Sequence, residues 1–155
     1  MKKFLALTLT ALPLLGLSIA NNAMSADTSP APTYTESAKA DNFAVGKKAL
    51  AAKNWSLAAD SFKKVVADNP KNADGYNLLG YSSRWLGKYD EAFAAYDKAL
   101  AIDPKHKGAL EYSGVAYLKV RQLDKAQAQL AKLKSICATC EETVDLAKEI
   151  AVYKP

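Results

Sequence analysis

Residues 80–104 read GYSSRWLGKYDEAFAAYDKALAIDP, and the spacing of a few positions in this stretch recurs on both sides of it. Gly80 has counterparts at Gly46 and Gly114, at equal spacing on either side. Ala92 repeats at Ala58 and Ala126, Tyr96 at Phe62 and Leu130, and Ala99 at Val65 and Leu133. Pro104 matches Pro70, with Ala138 taking that place in the third copy. Several columns sharing one period define a tandem array of 34-residue units. The residue types predict a helix pair in each unit. Glycine on the first helix and alanine on the second let antiparallel helices approach closely, and the larger residue that follows the alanine fills the gap beside them. Asn69-Pro70-Lys71-Asn72 and Asp103-Pro104-Lys105-His106 then end the second helices, because proline cannot continue a helix and biases the residue before it away from one.

Within this period, Gly87-Lys88-Tyr89-Asp90-Glu91-Ala92 resembles the inter-helix turn and second-helix start of the tetratricopeptide repeat (TPR) family. The chain as a whole resembles a small exported bacterial TPR protein of three repeats, at about 39–72, 73–106 and 107–138. The resemblance implies an all-α fold, an α-solenoid of three helix-turn-helix repeats plus a C-terminal capping helix, occupying 37–153. Helix pairs are expected near 39–52 and 55–68, 73–86 and 89–101, and 107–120 and 123–136, with no strands. The capping helix is expected over 140–153, opened by Thr139 and Glu142 in a capping-box pattern. Its apolar stripe reads as Val144, Ala147, Ile150 and Ala151, covering the face that a last repeat leaves open.

Residues 1–26 have another character. Lys2 and Lys3 precede an apolar run from Phe4 to Ile19, and small residues follow at Ser18-Ile19-Ala20 and Ala23-Met24-Ser25. This reads as a secretory signal peptide over 1–26 rather than an uncleaved anchor, since Pro13 and Gly16 interrupt a run short of the usual span of about 20 apolar residues. Residues 27–36 are polar and proline-bearing and read as a disordered leader. Export, to the periplasm of a Gram-negative bacterium, is the expectation. Without Lys2 and Lys3 the 21 basic residues fall to 19 against 16 acidic ones, and they are scattered. Nucleic-acid binding needs clustered positive charge, so it is set aside.

Catalytic constellations are absent from the reading, which expects no enzyme, no cofactor and no metal. The one histidine, His106, falls in an inter-repeat turn and reads as a solvated loop residue. Asp90-Glu91 and Glu141-Glu142 stand at helix starts, where carboxylates complement the helix dipole. Cys137 and Cys140, the only cysteines, form a C-x-x-C between the last repeat and the capping helix. In an exported chain the pair reads as a disulfide that orders this turn. Thiol exchange and copper handling through the same two residues stay open as the alternative function. A c-type haem site is excluded because Glu141, not histidine, follows Cys140.

In TPR proteins the first helix of each repeat lines a concave surface that binds a peptide or helix of another protein. Carried onto this sequence, that groove comprises Phe43, Lys47 and Leu50, then Asp74, Asn77, Tyr81, Arg84 and Trp85, then Glu111, Tyr112, Val115 and Lys119. Asn77, Tyr81, Arg84 and Trp85 share one helical face, and aromatic residues and arginine are the types enriched at binding hot spots. The implied function is a protein–protein interaction module, an adaptor or assembly factor. The family's carboxylate clamp for a partner's terminus is not retained: its places hold Phe43, Lys47, Leu78, Gly108 and Tyr112. Lys47, Arg84 and Lys119 outnumber Asp74 and Glu111, which leads to the expectation of an occupant with some acidic character.

Overall fold

The computed structural model describes residues 41–155. The expected signal peptide, the expected leader and the first residues assigned to repeat one lie outside these described residues. Seven helices follow in order: α1 (Asn42–Ala51), α2 (Trp55–Asp68), α3 (Ala73–Trp85), α4 (Tyr89–Ile102), α5 (Lys107–Lys119), α6 (Leu123–Ile136) and α7 (Glu141–Val152). Among the described residues there is no strand. The pairs α1–α2, α3–α4 and α5–α6 stack as the repeat period requires, and α7 packs on α5 and α6. The fold is the TPR type of α-solenoid.

Side chains at the repeat boundaries start the first helices. Asp41 accepts hydrogen bonds from the backbone N–H groups of Phe43 and Ala44, both at 3.1 Å, and Asn72 accepts from Gly75 N–H at 2.8 Å. In the third repeat the capping residue is His106, whose Nδ1 accepts from Ala109 N–H at 3.2 Å. These contacts satisfy donors that a helix start leaves without partners. His106 is therefore not a solvated loop residue; its side chain is 12% exposed, and its Nε2 lies 3.1 Å from Asp74 Oδ1. With Nδ1 accepting, Nε2 carries the proton and donates to that carboxylate, tying α3 to the start of α5.

The turn inside each pair repeats too. Lys53, Gly87 and Arg121 all have positive φ, at 56°, 74° and 61°, and they hold the same place in successive repeats. Glycine adopts this left-handed conformation freely, whereas lysine and arginine do so at a cost of about 1–2 kcal/mol.

The glycine notch is the core device. A Cβ on Gly46 would stand 2.7 Å from Phe62 Cζ, and one on Gly80 would stand 2.6 Å from Tyr96 Cε1. Phe62 and Tyr96 are fully buried there, each under an equally buried alanine, Ala58 and Ala92. The third repeat departs from this pattern. Its notch at Gly114 is filled by Leu146 of α7, whose Cδ2 would lie 2.6 Å from an added Cβ, not by Leu130 of α6. Leu146 is fully buried with Leu110 and Leu133, and Leu130 packs at the edge of that cluster.

This placement revises the reading of the last helix. Its inward residues are Thr143 and Leu146, with Ala147 and Ile150 partly buried, while Val144 is 40% exposed and Ala151 is exposed. The stripe lies one position away from the expected one because α7 presses on α5 as well as on α6. Its N-cap is Cys140 without a side-chain hydrogen bond, so the Thr139–Glu142 capping box does not form. Thr143 Oγ1 instead donates to the carbonyl of Cys137 at 2.7 Å. Cys137 and Cys140 are joined by a disulfide across this turn, with Cα atoms 5.6 Å apart.

Candidate partner-binding groove

The first helices α3 and α5, together with α7, enclose an open groove of about 680 Å³. Seven of the expected residues line it: Tyr81, Arg84, Trp85, Glu111, Tyr112, Val115 and Lys119. Each reaches it because positions three or four apart on a helix share a face.

Its α3 wall is an aromatic cluster. Tyr81 packs against Tyr112 with ring centroids 4.7 Å apart and meets Trp85 edge-on at 6.3 Å. Trp55, the first residue of α2, stacks on Trp85 at 5.0 Å and 9° and meets Tyr81 at 6.1 Å. The Arg84 guanidinium lies 5.1 Å from the ring centroids of both Tyr81 and Trp85, within cation–π range. Inside the fold, Arg84 acts on the buried Tyr96 phenol: burial pushes that group well above its usual range, and the nearby guanidinium partly opposes the push. Despite these contacts Trp85 remains 50% exposed. A large indole held in a rigid stack yet left half open is suited to contact a second molecule.

The other wall is charged, and α7 supplies most of the charge. Glu141, Glu142, Asp145, Lys148 and Glu149 all face the groove. Glu142 pairs with Lys107 at 3.2 Å and Asp145 with Lys148 at 3.2 Å. Among the described residues Glu111, Glu141 and Glu149 have no cation within ion-pair distance. Burial pushes the Glu111 carboxyl up to about 7, reinforced by Asp145, Glu142 and Glu141 and opposed by Arg84. Burial also raises the neighbouring Tyr112 phenol, with Glu111 adding to the effect.

Five expected site residues lie elsewhere, among them Leu50, packed against the first-repeat core, and Asp74, paired with His106. Phe43 packs edge-on against Phe62 at 5.7 Å and belongs to the first-repeat core, with Lys47 over its ring at 5.7 Å. Asn77 is 6% exposed and sits behind Gly108, with its amide nitrogen 3.0 Å from where a Gly108 Cβ would stand. The sequence reading missed Trp55 and the α7 residues. Both had a signal in the period: Trp55 shares its place with Tyr89 and Leu123, and Glu142, Asp145 and Glu149 fall one full period beyond Gly108, Glu111 and Val115.

Counting that fourth helix also reverses the electrostatic expectation. The groove carries five carboxylates, from Glu111, Glu141, Glu142, Asp145 and Glu149, against three cations, from Arg84, Lys119 and Lys148. The expectation of an acidic occupant rests on α1, α3 and α5 alone, and the added wall does not favour it.

A stacked array of helix pairs with an aromatic concave face defines the helical-repeat class of binding scaffolds. The particular repeat follows from residues 73–106, which match the family model "Tetratricopeptide repeat". The match spans one of the three repeats of the array. It is 41% identical over 59 residues to heat shock protein STI1 of Saccharomyces cerevisiae, a match covering 38% of this chain and 10% of that protein. The Arabidopsis OM64 TPR domain superposes with a TM-score of 0.66 at 20% identity, over 71% of this chain and 91% of that one. The first TPR of Spaghetti (RPAP3), bound to the HSP90 peptide SRMEEVD, superposes with a TM-score of 0.65 at 17% identity, over 72% and 90%. At these identities the two structures speak for the fold alone.

Proposed function

We propose that this protein is an exported adaptor or assembly factor, working in the periplasm of a Gram-negative bacterium, that binds a peptide or helix of a partner protein in the groove between α3, α5 and α7. The observation that carries this reading is the aromatic wall, in which Trp85 is half exposed yet fixed by Trp55, Tyr81 and Arg84. A surface already ordered loses little further entropy on binding, and aromatic residues and arginine supply most hot-spot energy. The RPAP3 domain of the same fold is bound to a peptide, which supports peptide binding by this scaffold in general. It does not supply the partner, because the family's carboxylate-clamp places hold Phe43, Lys47, Leu78, Gly108 and Tyr112 here. The basic start and apolar run at the amino terminus, with the closed Cys137–Cys140 pair, support export.

The test is capture from a periplasmic extract with the purified protein as bait, followed by affinity measurement on the partner obtained. Tyr81→Ala and Trp85→Ala should each weaken binding by about 1–3 kcal/mol with the fold intact by circular dichroism. Unchanged affinity in both variants would move the site off the concave face. Detection of the chain in the cytoplasm with residues 1–26 attached would overturn the export reading.

A further inference from the structure

We infer that the occupant of this groove is a basic segment of a partner protein, one that seats a lysine or arginine side chain between Glu111 and the α7 wall. The inference rests on the groove reading above and adds the chemistry of what enters it. Charge complementarity is the first ground: carboxylates outnumber cations, and two of the three cations are already engaged, Arg84 over Tyr81 and Trp85 and Lys148 with Asp145. The carboxylates without a cation, Glu111, Glu141 and Glu149, come from α5 and α7.

The aromatic side of the groove is the second ground, and it is independent of the charges. Tyr81 and Tyr112 pack with ring centroids 4.7 Å apart, and Trp85 beside Tyr81 stays 50% exposed. Lysine and arginine carry their N–H donors on long apolar stems. The surrounding Tyr81, Tyr112 and Val115 would cover the aliphatic stem, as amphipathic cations prefer. A metal ion suits the wall less well: among the described residues no three His, Cys, Asp or Glu side chains converge as a metal site.

The arrangement also makes binding sensitive to pH. Glu111 faces Asp145, Glu142 and Glu141 from α7, Arg84 from α3 and Tyr112 on its own helix, and its carboxyl titrates near 7. A bound cation favours the ionised form, so the complex releases a proton and tightens as pH rises from about 6 to 8.

A phage-displayed library of random twelve-residue peptides, selected on the purified protein at pH 8, tests the inference. Synthetic copies of the enriched peptides are then titrated by fluorescence anisotropy. Enriched peptides should carry lysine or arginine beside an apolar residue. They should bind at least tenfold more weakly to Glu111→Gln and to the Glu141→Gln/Glu149→Gln double variant, and weaken from pH 8 to pH 6 with the parent but less with Glu111→Gln. Acidic or uncharged peptides that lose affinity to Trp85→Ala would overturn the basic occupant and leave the groove reading standing. Peptides indifferent to Trp85→Ala, or no enrichment at all, would overturn both.

Discussion

Leu146→Ala tests the replacement of an in-repeat core residue by one from the capping helix. The substitution removes three carbons from a fully buried side chain, and those atoms are the ones that would stand 2.6, 2.8 and 3.3 Å from a Cβ on Gly114. At about 0.8 kcal/mol per buried methylene the transfer loss is about 2.4 kcal/mol. A residual cavity adds to that, for a total of about 3 kcal/mol, within the range seen for core Leu→Ala changes. The sharper test is the pair with Gly114→Ala. Alone, that change gains up to about 1 kcal/mol of helix propensity but forces its methyl onto Leu146, at a cost of about 1–3 kcal/mol. With Leu146 already truncated the methyl enters the vacated space, and the same change should stabilise. Urea denaturation of all four proteins gives the coupling; Leu146→Ala should lower the midpoint by about 1–3 M at typical slopes. Additivity within about 0.5 kcal/mol would refute the placement of Leu146 in the Gly114 notch.

Four further outcomes follow from the same contacts. His106→Ala should cost about 1 kcal/mol in a urea titration, while His106→Asn keeps a capping acceptor and most of the stability; equal losses would discount the cap. Lys53→Gly and Arg121→Gly should each stabilise by about 1 kcal/mol by relieving positive φ, and no change in either would discount the strain. The double Cys137→Ser/Cys140→Ser variant should remain folded and lose about 1–2 kcal/mol, because the closed loop is short; alkylation and mass spectrometry on the parent should find no free thiol. Burial raises the Glu111 carboxyl from 4.5 to about 7, so the folded protein holds its proton more tightly than the unfolded chain and stability falls as pH rises through that interval. Glu111→Gln should flatten this part of the profile and raise stability at pH 8, and parallel profiles for the two proteins would count against the shift.

The repeats were legible in the sequence because the period is written in residues whose size is constrained. Gly46, Gly80 and Gly114 are each needed where another side chain closes on the backbone, and Pro70 and Pro104 stop helices by their covalent structure. Helix positions are therefore readable to within a few residues. Less legible were choices made between elements. Nothing in the order of residues says that Leu146 rather than Leu130 enters the third notch, because both are leucines at helical spacing from other apolar residues. His106 reads as polar and exposed until the fold brings Asp74 and the start of α5 to its two ring nitrogens. The aromatic wall was half legible: Tyr81, Arg84 and Trp85 follow from helical phase, whereas Trp55 joins them from a different helix and repeat.

The capping helix explains why fold and site are hard to separate in this protein. α7 begins one full period after α5 and keeps its phase, so Thr143 falls where Ala109 and Gly75 stand and Leu146 where Tyr112 and Leu78 stand. It is placed as the first helix of a fourth repeat, and in the described residues no second helix follows it. The position that is glycine in all three repeats is Lys148 in α7, exposed and paired with Asp145. Among the described residues no side chain of a following helix closes on this position as Phe62 closes on Gly46, and a charged side chain stands there. On the groove face, Gly108, Glu111 and Val115 are succeeded one period later by Glu142, Asp145 and Glu149. One face of α7 completes the core through Leu146, and the adjacent face gives the groove its negative wall. Contacts that a partner makes with this wall therefore bear directly on the helix that seals the third repeat.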